Sequence, residues 1–205
     1  MKHSKGSLCI AILATITRLS SPLEAQVMNG DFSAGLANWT VLQLPSGLVV
    51  GGSLTSVDID GLPLHLSNAY YCQPGNNGWD RALQQGVFLT EGSTYDFRAD
   101  LAMESGSNNG DGGTITIYLD SVIVASYAFG SVPWHVKEYA TLSGTYTPPT
   151  TGNETLSITF TRSGEGAPDT PYDYIDNIQL IVVPEPSSLV LALAGLCVVT
   201  LRKAS

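Results

Sequence analysis

The sequence predicts an all-β protein: an antiparallel β-sandwich of the jelly-roll type, flanked by a cleavable N-terminal signal helix and a short C-terminal hydrophobic helix. Three observations carry that expectation. Apolar and polar residues alternate with period two in several segments, the period of a strand buried on one face. Clusters such as SGSNNGDGG and YTPPTTGNE separate those segments and read as turns. Both ends of the 205-residue chain differ in composition from the stretch between them.

Residues 1–25 open with Lys2 and Lys5, run through an apolar stretch from Leu8 to Ile16, and end in a small-residue exit carrying Leu23 and Ala25. That is the pattern of a secretory signal peptide, with the cut expected after Ala25. Residues 26–182 form the body. Only Arg81, Arg98, Lys137 and Arg162 oppose sixteen acids there, a net charge of −12. Such a surface repels phosphate backbones and anionic lipid, which argues against nucleic acid as a partner and is compatible with bound cations.

The three cysteines fall one to a segment, as Cys9, Cys72 and Cys197. A body with one thiol holds no internal disulfide, so its core must supply the stability, and Cys72 is expected as a small buried hydrophobe.

Within the body, TYDFRADL places Tyr95, Phe97, Ala99 and Leu101 on one face. TITIYL does the same with Ile115, Ile117 and Leu119, and TLSITFT with Leu156, Ile158 and Phe160. These read as half-buried antiparallel strands. Some eight to ten such strands, without helical period or internal repeat, indicate the sandwich. Residues 45–79, which contain NAYYCQPGNNGW, are the least regular and are expected to form ligand-binding loops.

Catalytic motifs are scarce. The chain has no G-x-S-x-G elbow, no H-E-x-x-H and no Cys/His metal spacing. His65 and His135 read as loop or structural residues. DIDGLP, residues 58–63, resembles a calcium loop in its first positions but lacks the later ligands, so a tight turn is expected. NNGDGG, residues 108–113, reads as a hairpin turn. The expectation is therefore a non-enzyme. A carboxylate pair of a small glycan hydrolase or lyase, unlocatable by spacing, stands as one alternative, and a surface protein with no small ligand as another. Among the aromatics, Trp39 is expected in the core. Tyr70, Tyr71, Trp79 and Trp134 are candidate carbohydrate contacts, since an aromatic plane buries the C–H face of a sugar, with ordinary packing as the competing role.

VMNGDFSAGLANWTV, then ALQQGVFLTEGSTYDFRADLA, TITIYLDSVIVASYAF and the closing YDYIDNIQLIVV follow one another in an order that resembles carbohydrate-binding-module-like, galactose-binding-like jelly rolls. That resemblance implies a glycan-binding fold whose closing strand runs beside the opening one. Members often carry an acid after the opening Phe; this chain has Ser33. In YDYIDNIQLIV, counting back by twos from Val182, Leu180 and Ile178 puts Asp176 on the inward face. With Asp31 brought near by the resembled topology, the two carboxylates would hold one structural calcium ion, the alternative being that Asp176 accepts backbone hydrogen bonds at a strand start.

Residues 183–205 begin VPEP, continue through two serines and a thirteen-residue apolar run from Leu189 to Leu201, and end with Arg202 and Lys203 as a membrane stop. They resemble the PEP-CTERM sorting signal of exopolysaccharide-producing Gram-negative bacteria. The resemblance implies recognition of Pro184, Glu185 and Pro186 by an exosortase, transient membrane association, and delivery to the cell envelope or extracellular matrix. A span that is later removed need not reach the ~20 residues of a permanent one. Local thinning and the snorkelling of Arg202 and Lys203 would accommodate the shorter run. Exopolysaccharide is accordingly the expected ligand.

Overall fold

A computed structural model describes residues 27–43, 50–62, 65–73, 81–105, 110–162 and 171–183. The signal segment, Trp79, the Pro184–Glu185–Pro186 motif, the apolar run and its Arg202–Lys203 end lie outside the described residues. The described chain is all strand and turn. Its strands are β1 (Thr40–Gln43), β2 (Val50–Asp58), β3 (Leu66–Gln73), β4 (Arg81–Leu89), β5 (Tyr95–Glu104), β6 (Gly110–Asp111), β7 (Thr114–Leu119), β8 (Val122–Ala128), β9 (Ser131–Val132), β10 (Lys137–Tyr146), β11 (Gly152–Thr161) and β12 (Tyr172–Val182).

Two five-stranded antiparallel sheets form the sandwich, ordered β1-β4-β11-β7-β8 and β10-β5-β12-β3-β2, with β6 and β9 as a separate pair. The alternation read from the sequence supplies both inner faces. Tyr95, Phe97, Ala99 and Leu101 of β5 face Ile115, Ile117 and Leu119 of β7 and Leu156, Ile158 and Phe160 of β11 in one buried cluster. Cys72 is fully buried there too. Along one side the sheets approach closely: a Cβ added at Gly144 of β10 would collide with the Val124 carbonyl of β8.

Two stretches depart from expectation. Residues 45–79 contain the paired strands β2 and β3, whose sequences VGGSLTSVD and LSNAYYCQ dilute the alternation with glycine and small polar residues. Part of the expected NNGDGG turn is strand β6, paired to β9.

The opening NGDF stretch is a turn-built plug. Asn29, Phe32 and Asn38 hold left-handed φ values of 56°, 50° and 70°, tolerable for Asn and uncommon for Phe. The Asn29 side chain staples the turn, donating to the carbonyls of Gly35 at 2.8 Å and Ala37 at 3.0 Å and accepting from the Ala34 amide at 2.9 Å. Phe32 is thereby driven into the core against Trp39 and Tyr70, with ring centroids 5.7 and 6.3 Å away. Gln85, 4% exposed, clamps Met28 through both its amide and its carbonyl. Gly30 accepts from the Ile178 amide of β12 at 3.0 Å, and any Cβ at Gly30 would collide with the Ile178 carbonyl. The closing strand does run beside the opening segment.

Candidate functional site

The face of the β10-β5-β12-β3-β2 sheet turned away from the core carries a concentration of chemistry. Register defines it. On β12, Ile175 lies opposite Leu101 of β5 and Tyr70 of β3, all core residues, so Tyr174 and its partners Ala102 and Tyr71 point outward. Tyr172 and Glu104, opposite one another, share that outward face, as do Tyr139 opposite Ala102 and Lys137 opposite Glu104.

Tyr71, Tyr172 and Tyr174 form a three-ring patch, with centroids 6.1 to 6.4 Å apart and the Tyr172–Tyr174 pair stacked at 23°. Lys137 reaches over the Tyr174 ring at 5.5 Å and pairs with Glu104 at 3.6 Å, a cation–π and ion-pair frame around the patch. Burial and the neighbouring Glu104 hold the Tyr174 hydroxyl well above the ordinary tyrosine range, and Tyr139 is pushed up to about 12 by burial and by Asp58. Both hydroxyls remain donors at any physiological pH.

The tip of the β2–β3 hairpin curls over this face. β2 and β10 are its opposite edges, separated by four strand spacings, roughly 19 Å on a flat sheet. Yet the Tyr139 hydroxyl of β10 donates to Asp58 Oδ2 at 2.9 Å, and a Cβ at Gly61 would stand 3.4 Å from the Tyr139 ring. Ile59, 2% exposed, packs into one apolar cluster with Val57, Ala69, Ala102 and Tyr174 beneath the tip. Apart from the Asp58 Oδ2 bond to Tyr139, the DIDGLP acids are spent on the turn itself. Asp58 Oδ1 accepts from the Asp60 and Gly61 amides, Asp60 Oδ1 accepts from the Leu62 amide, and Asp60 Oδ2 pairs with His65. As expected of a tight turn, its carboxylates are committed to its own chain.

Tyr71 is thus in the patch, but Tyr70 is not. The neighbouring residue on a strand points to the opposite face, and Tyr70 is fully buried in the core, a correction to its reading as a sugar contact. Trp134 is 56% exposed on the turn before β10, stacked on His135 at 4.2 Å, with His135 at φ 57°. Tyr172 and Tyr174 escaped the sequence reading although YDY, two tyrosines spaced by two, was the available signal.

Asp176 also requires correction. The β12–β5 register shifts between Asp176 and Gln179, and Asn177 sits at φ 52° in this bulge. Counting by twos across it inverts the face. Asp176 lies opposite Asp100 on the outward side, and it is Asp173 that shares the inner face with Ile175. Asp176 is nonetheless 1% exposed, and neither of its oxygens has a hydrogen-bond partner of good geometry among the described residues. Burial pushes its carboxyl up to about 6, the charges of Asp31 and Asp100 adding to the rise while Ser67 and the Asn177 amide temper it. Asp31 itself is exposed, with Oδ1 accepting from the Ser33 amide and hydroxyl at 3.2 and 2.9 Å, contacts that hold its carboxyl below the usual range. Among the described residues no group of three or more His, Cys, Asp or Glu side chains gathers as a metal cluster. A cation here would draw on Asp176, Asp31 and backbone oxygens.

No protein-family model matches this sequence, and no curated protein does. Solved structures do resemble the fold. The K1 cleaved adhesin domain of Lys-gingipain from Porphyromonas gingivalis W83 superposes with a TM-score of 0.50 at 12% identity, over 75% of this chain and 96% of that one. TmCBM61, solved in complex with β-1,4-galactotriose, gives a TM-score of 0.48 at 14% identity, over 78% of this chain and 99% of that one. The CBM22-1–GH10 modules of Clostridium thermocellum xylanase 10B, complexed with xylohexaose, give 0.46 at 18% identity, over 74% of this chain and 27% of that one. Carbohydrate-binding modules are therefore among its structural neighbours, and at these identities the likeness concerns the sandwich fold alone.

Proposed function

We propose that this protein is an exported, non-catalytic glycan-binding module whose C-terminal segment directs exosortase sorting to the envelope or matrix of a Gram-negative bacterium, with exopolysaccharide as its ligand. The part-exposed Tyr71 and Tyr172 on the outward face, backed by the buried Tyr174, carry the binding half of this reading. Aromatic rings on a rigid sheet present apolar area at little entropic cost, and the Glu104–Lys137 pair beside them supplies the polar groups that orient hydroxyls. Neutral glycans suit it best, because a body of charge −12 repels acidic polymers unless a cation bridges them.

A calcium ion shared by Asp176 and Asp31 belongs to the same proposal. The buried Asp176 carboxylate, whose oxygens have no hydrogen-bond partner of good geometry among the described residues, supports it, since a poorly compensated buried charge is costly and a cation offsets that cost. The sorting half rests on Pro184–Glu185–Pro186, the apolar run and the Arg202–Lys203 end.

The deciding experiment is a glycan array probed with residues 26–182, followed by calorimetry on the hits and an assay for new reducing ends. Binding without turnover supports the module. Turnover abolished by mutating one acid pair would make it a hydrolase or lyase, and silence on every glycan would favour a purely structural surface protein.

A further inference from the structure

Resting on the glycan-binding reading, we infer that the β2–β3 hairpin tip makes the tyrosine patch a blind-ended site that takes the terminus of a glycan chain rather than a stretch of its interior. The wall stands at a defined row. Ala102, Tyr174, Tyr71 and Tyr139 lie side by side across four strands, and Ile59 packs down on that row while Asp58 and Gly61 meet Tyr139. Tyr172, Glu104 and Lys137 lie one outward position further along, toward the end of the sheet where β12 begins and β3 finishes. A sugar stacked on Tyr71 and Tyr172 and extending along the strands therefore meets the hairpin tip at the Ala102–Tyr174 row. A polymer running along the strands would have to pass through Ile59, which is 2% exposed in its apolar cluster.

The wall is braced rather than hinged. Asp58 and Asp60 fasten the tip to its own amides and to His65, and the Tyr139 hydroxyl fastens it to the far edge of the sheet. A through-groove gains affinity with each sugar it covers. A blind site gains nothing beyond the units that reach the wall.

The test measures wild-type affinity for cello-, xylo- and β-1,4-galacto-oligosaccharides from mono- to hexasaccharide, and for the parent polymers before and after partial fragmentation. A dissociation constant unchanged within about twofold from disaccharide to hexasaccharide is expected. At equal polymer mass, capture should rise in proportion to the number of chain ends. Affinity climbing about tenfold or more over the same series would overturn the blind-end inference and leave the glycan reading intact. No binding to any sugar in the series would overturn both. Tyr139→Ala, at a residue 40% exposed and so removable with little loss of core, should open the wall and introduce length dependence. A folded Tyr139→Ala protein that keeps the same flat profile would show that the hairpin tip is not the wall.

Discussion

Asp176 of β12 lies directly opposite Asp100 of β5, two carboxylates on one outward face, with the Asn177 side-chain amide donating to Asp100 at 2.9 Å and no donor meeting Asp176 in good geometry among the described residues. Like charges placed opposite in a ladder are destabilising, and here one of them is also buried.

That arrangement sets a pH dependence. The folded-state pKa of Asp176 is raised from 3.8 to about 6, so its contribution to stability is fully present below 3.8 and is lost as pH rises through about 6. At about 1.4 kcal/mol per unit, the loss is on the order of 2–3 kcal/mol. In chelator, Asp176→Asn should therefore be more stable than wild type at pH 7 and indistinguishable from it near pH 3. Denaturant melts at both pH values check this, and an Asn variant less stable at pH 7 would refute it.

Calcium should reverse the order. A cation that binds only the folded state adds about 2.7 kcal/mol at a hundred times its Kd. The wild-type melting temperature should rise when calcium is added to chelator-treated protein, with no rise in Asp176→Asn. A melting temperature indifferent to calcium would remove the ion from the proposal.

The opening plug tests the fold. Gly30→Ala sets a methyl group against the Ile178 carbonyl and disturbs the 3.0 Å bond between those residues, which should cost about 2–4 kcal/mol. Gly86→Ala, where nothing lies within 4 Å, should be neutral or slightly stabilising. Thermal melts of the two variants side by side separate a steric requirement from a general intolerance of alanine.

Two tyrosines on opposite faces of one sheet should behave oppositely. Tyr172→Ala should weaken glycan binding about tenfold at unchanged melting temperature. Tyr70→Ala, which empties a core site beside Phe32 and Phe160, should cost about 3–5 kcal/mol of stability. Calorimetry and melting on both variants score the assignment, and full affinity in Tyr172→Ala would take that residue out of the site.

Sorting is tested apart from binding. Replacing Pro184, Glu185 and Pro186 together by alanine should leave a longer, membrane-retained species in a host that has the exosortase. Normal maturation of that variant would end the sorting proposal.

The strand alternation of β5, β7 and β11, the core positions of Trp39 and Cys72 and the tight DIDGLP turn were all legible in the chain itself. Each depends on neighbours a few residues apart, and side-chain period and turn chemistry are local properties. The binding face was not legible, because it is assembled by pairing. Tyr71 meets Tyr172 and Tyr174 only through the antiparallel register of β3 with β12, about a hundred residues on. The face of Asp176 was misread for a related reason. Parity is a reliable count only along an unbroken ladder, and the left-handed Asn177 inserts a bulge that resets it. The closed end of the patch was likewise decided in three dimensions. Only when β2 and β10 become opposite edges of one sheet can a hydrogen bond between Asp58 and Tyr139 draw a hairpin tip across the face between them.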